Sequence, residues 1–501
     1  MNFFSKHIEK FKKALNNREE KEILSKGAIR GLRHHRMKRD PEDNQKSSVP
    51  EDVRIYLPSI WIIEAYPPTF INSLVDGLKK GDFVEQHERL HNRNILDQIN
   101  LMRSVGFRNN WYPLGIFASK DSSMFPTMNA NIPEGVSHIS SYLHQFVPST
   151  TILASQFYLD KDLQKTIEEP LRKDYQTVAI VKKDRTRYNS VIHQKQDAYL
   201  YQMEFIRTLC SNWVDSNFPG LFSSDLIDRN HPTSELILFE ADDPIEGNQN
   251  PYGSYKNIMG FKSDFDMYQS SDLKDFFMTL DEKLSSNRSS IFFGGNIDKV
   301  LSDKKLEAYG GNDKVQRIAG WSYSLHKTLS FWSLTDIVFE YYRKQNNLRD
   351  KLGAIDHSSD ENALFELQNI ESQLIELQAN SIPLANELYS VIDEKGFDYD
   401  LFDFEPIAIE LRGKKSFIEL RKDLLKRKAL SIIDNDKQIT RITSSLTNLV
   451  TGQINLKLSE SNNKLQKRIF WLTLLAVIIA VFSFFEVTDS KLVSWVKSFF
   501  K

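Results

Sequence analysis

The chain has 501 residues and a mass of 58.2 kDa, with 40% hydrophobic and 26% charged residues, 20 Gly and 16 Pro. This composition excludes a small stapled scaffold, a collagen-like or disordered chain and a polytopic membrane protein. A net charge of −2 and a pI near 6.6 exclude a broadly basic surface, so nucleic acid is not an expected partner, and the single cysteine, Cys210, fits a reducing compartment.

Residues 1–50 read as a basic amphipathic segment followed by a linker. Met1 to Asp40 holds twelve Lys/Arg against five Asp/Glu, so the other 461 residues carry nine more negative than positive charges. Phe4, Ile8, Phe11 and Leu15 recur at helical spacing opposite Lys6, Lys10 and Lys13, flanked by Lys12. Phe4, Ile8, Phe11, Lys12 and Lys13 are the set that would meet an anionic membrane surface; the alternative is an apolar stripe docked on the protein's own body. No uninterrupted apolar run follows Met1, so a secretory signal is not expected. The basic cluster over 27–40 would touch phosphate groups or serve as a linker, and DPEDNQKSSVPED reads as solvated.

Residues 51–311 read as an α+β (or α/β) domain. Strands are expected near 53–66, 111–118, 151–159, 234–240 and 290–294, with Pro58 marking an edge or bulge in the first. Helices are expected over Thr69 to Lys80, closed by Gly81, over Phe83 to Val105, through IPEGVSHISSYLHQF and DKDLQKTIEEPLRKDY, and from Tyr188 to Trp213. Periodicity does not give the strand order.

The sharpest chemical motif is HERLH. On a helix His87 and His91 share one face and could hold zinc, with Glu88 as general base for a metal-bound water. Arg89 inside the motif and Asn92, Arg93 and Asn94 after it make a polar, solvated face instead, and Asp97 and Asp121 stand at no recognisable third-ligand spacing. Cys210 shares a face with Ile206 and Trp213 and reads as a buried thiol. Asp242, Asp243 and Glu246 read as a polar loop, and FFGGN at 292–296 and YGGN at 309–312 as turns, since neither forms a phosphate-binding loop. No catalytic residue is assigned, the residues name no cofactor, and a non-enzymatic role is the expectation.

Residues 312–468 read as a helical stalk, with helices over 313–352, 359–394 and 416–468. Leu364, Leu367, Ile370, Leu374 and Leu377 stripe the second, which Pro383 should kink or end. DEKGFDYDLFDFE offers carboxylates at Asp398, Asp400, Asp403 and Glu405, but it lacks the spacing of a calcium loop and reads as a turn. In the third helix Ile418, Leu425, Ile432, Ile439 and Leu446 recur every seven residues, joined by Ile442, Leu449 and Leu456. Arg421, Lys428 and Asn435 accompany the early repeats, so that half should pack on neighbouring helices. The coiled-coil seam of a homo-oligomer is expected from Leu425, Ile432, Ile439, Ile442, Leu446, Leu449 and Leu456, above all between Ile439 and Leu456.

Residues 469–485 (IFWLTLLAVIIAVFSFF) form a 17-residue run without a charge. At about 1.5 Å per residue it covers roughly 25 Å, within the range of a single transmembrane helix. Lys464, Lys467 and Arg468 precede it, whereas Glu486 and Asp489 follow before Lys491, which places the N-terminal domain in the cytoplasm. Residues 486–501 read as a short amphipathic tail, with Leu492, Trp495, Val496 and Phe499 opposite Lys491 and Lys497.

A cytoplasmic domain followed by long helices that lead into a C-terminal span resembles the layout of CorA-type divalent-cation channels, over about the last 150 residues. Those channels have two spans joined by a Gly-Met-Asn loop. This chain has one span and no such tripeptide, so the resemblance implies an arrangement of parts, not ion conduction. The function expected is that of a single-pass, oligomeric membrane protein whose cytoplasmic domain senses, binds or scaffolds a ligand or partner. The alternatives are a membrane effector or channel-like protein that perturbs the bilayer, and a zinc-dependent hydrolase built on HERLH.

Overall fold

A computed structural model describes residues 38–105, 110–122, 124, 126–182, 185–224, 226–227, 230–245, 254–261, 267–281, 288–309, 313–355, 361–408, 415–487 and 491–501. The basic set Phe4, Ile8, Phe11, Lys12 and Lys13 lies outside the described residues. The chain divides into two compact units. The first comprises the described residues up to Arg343 together with Ala379–Ile433, the second Lys344–Gln378 and Asp434–Lys501.

The first unit is mixed α/β. In chain order it contains α1 (Asp40–Ser47), β1 (Arg54–Tyr66), α2 (Ile71–Lys80), α3 (Phe83–His91), α4 (Ile95–Ser104), β2 (Asn110–Ala118), β3 (Met128–Asn129), β4 (Val136–Val147), β5 (Thr150–Leu159), β6 (Val178–Lys182), β7 (Arg185–Asn189), α5 (Val191–Asn217), β8 (Thr233–Glu240), β9 (Met267–Ser270), β10 (Phe276–Asp281), β11 (Ser290–Asn296), α6 (Lys314–Trp321) and β12 (Phe404–Pro406). Ten strands form one sheet in the order β12-β9-β10-β11-β8-β1-β5-β4-β2-β3, and β6 and β7 form a separate antiparallel pair. Neighbours are antiparallel except β8 with β11 and β2 with β3.

Helices cover both faces of the sheet. On one face Ile60, Ile62 and Tyr66 of β1 join Met203, Ile206, Cys210 and Val214 of α5 in the main core. On the other, Gln156 of β5 donates to Ser322 Oγ at 2.8 Å, just past α6. This double coverage explains why RIYLPSIWIIEAY and TTILASQFYL are nearly continuous apolar runs and not alternating ones: every residue of β5 is buried. The ladder between β1 and β8 shifts register between Tyr56 and Ser59, so Pro58 sits in the irregularity that its missing N–H demands.

Several local expectations are corrected. IPEGVSHISSYLHQF is not a helix but strand β4, which pairs with β5 and β2 and buries both of its faces. The helix expected over Phe83 to Val105 is two: Asn92 adopts a left-handed conformation (φ 52°) that ends α3, and Asn94 caps α4 by accepting the N–H of Leu96. DKDLQKTIEEPLRKDY forms two short helices, Lys161–Lys165 and Glu169–Arg172, the second with Pro170 in its first turn. FFGGN lies in β11, not in a turn; a Cβ at Gly294 would stand 2.8 Å from the carbonyl oxygen of Ile237, so glycine lets β8 and β11 pair closely. The acidic stretch near residue 400 supplies the edge strand β12. Residues 313–343 and 379–433, read above as stalk, thus cluster with the sheet.

Three long helices follow: α7 (His326–Ala354), α8 (Glu361–Val391), which continues through Pro383 without a break, and α9 (Phe417–Val487). In the second unit Gln378 of α8 donates to Asp436 Oδ1 (2.8 Å) and Thr440 Oγ1 (3.0 Å) of α9, and Asn435 donates to Asn346 of α7 (3.2 Å). Leu348, Leu367, Ile370, Leu374, Leu377, Ile439 and Val450 are buried there. Helix α9 includes an 18-residue stretch apolar enough to cross a membrane, none of it buried within the chain, and α10 (Lys491–Phe499) comes after it.

Candidate functional site

In the first unit, β2 and β4 present aromatic side chains toward the start of α7. Their register sets Trp111 opposite His144, with Tyr142 two residues along the same face. The turn Ser322–Leu325 delivers His326, the first residue of α7, into this set. Its ring lies 4.2 Å from that of Tyr142 and nearly parallel (5°), and 5.0 Å from that of Trp111. His326 Nδ1 and His144 Nε2 are 2.8 Å apart.

Both histidines are buried, and burial disfavours the charged imidazolium. It drives His326 down to about 3, assisted by the Lys327 ammonium, and holds His144 well below its ordinary value, assisted by His326 and Lys327. The contact is therefore a bond between two neutral rings, one donating and one accepting. His144 Nδ1 is buried without a hydrogen-bond partner. An unpaired lone pair is the cheaper way to leave it, which makes His144 Nε2 the donor and leaves His326 with its proton on Nε2.

Beside this pair is an open cavity of about 320 Å³. Trp111, Tyr323, His326 and Phe402 supply aromatic wall, and Lys327, Asp272 and Asp400 supply charge. Lys327 Nζ lies 5.0 Å above the Trp111 ring and 3.1 Å from Asp400 Oδ2. Asp400 holds a positive φ of 60°, which turns the chain into the groove wall. The carbonyl of Phe402 accepts from Thr328 Oγ1 at 3.0 Å. Next in sequence, Asp403 Oδ1 accepts the N–H of Ile418 at 3.1 Å, so the segment lining the groove also caps the first turn of α9. The volume is at the small end of the range for ligand sites, about 300–1,000 Å³.

The residues singled out from sequence are distributed differently. His87 and His91 do meet on α3, with ring centres 4.5 Å apart. His87 is buried, its Nδ1 is 3.0 Å from the carbonyl of Arg93, and its Nε2 has no partner; His91 and Glu88 are exposed. Burial lowers the His87 pKa. Among the described residues no third His, Cys or carboxylate joins the pair, and neither Asp97 nor Asp121 reaches it.

Along the heptad, Leu425, Ile432 and Ile439 are buried within the chain and Leu446 is half-buried. Ile442, Leu449 and Leu456 are exposed, the last at 68%. The charged companions of the early repeats cover aromatic faces: Arg421 lies over Phe417, and Lys428 over Phe339 and Tyr342. Cys210 is buried, which pushes its thiol well up.

The groove residues Trp111, Tyr142, His144, His326 and Lys327 were not singled out from sequence. Nothing in the local pattern links His144 to His326, 182 positions later.

No protein family matches the sequence, and no curated protein matches it. Among solved structures, the CorA magnesium transporter from Methanocaldococcus jannaschii is similar at 11% identity, over 52% of this chain and 80% of that one, with a TM-score of 0.18.

Proposed function

We propose that this protein is an oligomeric, membrane-anchored binding protein whose cytoplasmic sheet unit takes a small ligand in the groove beside His326. The observation that carries the reading is the apolar stretch of α9: all 18 residues are exposed, in a chain whose sheet buries its apolar residues on both faces. Exposing that much apolar surface to water is strongly unfavourable, and a bilayer removes it. Lys464, Lys467 and Arg468 before the stretch support a cytoplasmic sheet unit by the positive-inside rule.

Self-association is read from Ile442, Leu449 and Leu456, which continue the seven-residue repeat where the chain's own helices leave it exposed. The groove suits a flat ligand that stacks on Trp111 or Tyr323, accepts a hydrogen bond from His326 and exchanges charge with the Lys327–Asp400 pair.

The test is to extract membranes carrying the protein with alkaline carbonate and to weigh the detergent-solubilised chain by light scattering, beside a chain ending at Glu460. Retention in the carbonate pellet and a multiple of the 58.2 kDa chain mass are expected. Release into the supernatant refutes the anchor, and a monomer mass refutes the assembly.

A further inference from the structure

Away from the groove, a strand, a helix and a loop of the sheet unit converge on one point. Glu64 of β1, Asp215 of α5 and His231, two residues before β8, each offer a ligand atom, and these atoms all lie within 4.8 Å of one another. The Glu64 and His231 side chains are buried, whereas that of Asp215 is 40% exposed, so the cluster has one approach from solvent. Ser223 adds a hydroxyl oxygen 2.6 Å from Glu64 Oε2, 2.5 Å from Asp215 Oδ1 and 3.5 Å from His231 Nε2.

The cluster is held rigidly. The N–H groups of Ala65 and Phe222, both at 2.8 Å, fix Glu64 Oε1, while Oε2 accepts the N–H of Ser223 at 3.2 Å and faces the other ligands. Gly220 allows this approach: a Cβ there would stand 2.7 Å from the carbonyl oxygen of Ala65 and 2.8 Å from Glu64 Cδ.

Two carboxylates, one imidazole and one hydroxyl share the cluster. Both carboxylates pair with His231, and the Arg288 guanidinium acts on Asp215 at longer range. Ser223 has one hydroxyl proton for two carboxylate oxygens, both in contact with it. The separations between the imidazole and the carboxylates are those of hydrogen bonds and equally fit neighbouring ligands on a metal. His231 Nε2 is 3.0 Å from Glu64 Oε2 and 3.4 Å from Asp215 Oδ1. At a metal–ligand distance of about 2.1 Å, adjacent ligands are about 3.0 Å apart in octahedral and about 3.4 Å in tetrahedral geometry.

We propose that Glu64, Asp215 and His231, with the Ser223 hydroxyl beside them, bind a divalent transition-metal cation of the zinc class. The imidazole ligand selects such an ion over magnesium or calcium, which prefer all-oxygen sites. The bound ion neutralises the two carboxylates and ties α5 and His231 to β1.

The test uses the full chain in detergent, stripped with a chelator and titrated with Co²⁺ and then Zn²⁺. One Co²⁺ per chain with visible ligand-field bands, displaced by Zn²⁺, is expected. Asp215→Asn and His231→Gln, each checked for native circular dichroism, should weaken Co²⁺ binding by about tenfold or more. His91→Asn, which removes one member of the other histidine pair, should leave it unchanged. Absence of stoichiometric Co²⁺ binding, unchanged affinity in Asp215→Asn, or loss of binding in His91→Asn overturns the assignment. Should His231→Gln fail to fold, Asp215→Asn decides alone, because its side chain is partly exposed.

Discussion

Acid should destabilise the sheet unit, in part through His326. In the folded chain burial holds this histidine neutral down to about pH 3, while unfolded it titrates near 6.5. Between those values the unfolded chain binds a proton that the folded chain refuses, so the contribution is complete above about 6.5 and lost as pH falls through the window. One pH unit corresponds to about 1.4 kcal/mol, so at pH 5 the loss from His326 is about 2 kcal/mol. His144, His138 and His87, displaced in the same direction by burial, add loss of the same sign. The first proton charges a buried ring, and a second would set two N–H groups head to head across the 2.8 Å contact. Reversible urea unfolding of the full chain in detergent, followed by tryptophan fluorescence at pH 7.5, 6.5, 5.5 and 5.0, measures the slope. His326→Phe keeps a ring for Tyr142 to stack on and removes the titrating group, so its stability should fall by about 2 kcal/mol less over the same interval. A variant that keeps the full wild-type slope between pH 6.5 and 5.0 refutes the reasoning.

Three further outcomes are expected. Ile442→Gln with Leu449→Gln, at exposed positions of the repeat, should lower the mass of the detergent-solubilised protein toward the monomer without changing its circular dichroism; an unchanged mass counts against that seam. Glu235→Gln should lower stability by about 1–3 kcal/mol in urea unfolding, because Arg207 Nε, buried 2.6 Å from Glu235 Oε1, loses the nearer of its two carboxylate charges, Glu204 remaining at 3.8 Å. Gly220→Ala should lower the unfolding midpoint by about 1–3 kcal/mol equivalent, since the added methyl meets the backbone oxygen of Ala65, and a neutral effect would show that the loop moves aside freely.

What could be read from sequence followed the range of the physical signal. The five strands expected near 53–66, 111–118, 151–159, 234–240 and 290–294 are all present, because apolar runs bounded by turn residues mark buried strands by themselves. Strand β4 was lost because VSHISSYLHQF mixes polar and apolar residues, and only pairing with β2 and β5 makes it a strand. β9 and β12, of four and three residues, are too short to show a period. HERLH was visible and is the lesser cluster, because a motif in sequence does not supply a third ligand in space. The Glu64 cluster left one trace, a carboxylate inside the apolar run WIIEAY, where burial demands partners; those partners come from residues 215 to 231 and cannot be deduced locally.

The few residues from Asp400 to Asp403 carry a consequence larger than their length. They wall the groove on one side, and through Asp403 they hold the opening turn of the helix that continues into the apolar stretch. A ligand that displaces the Lys327–Asp400 pair acts on that same turn. By thermodynamic reciprocity, whatever fixes the turn also changes how tightly the groove holds its ligand. Substituting Asp403, which does not line the cavity, would then alter the affinity of the proposed groove from outside it.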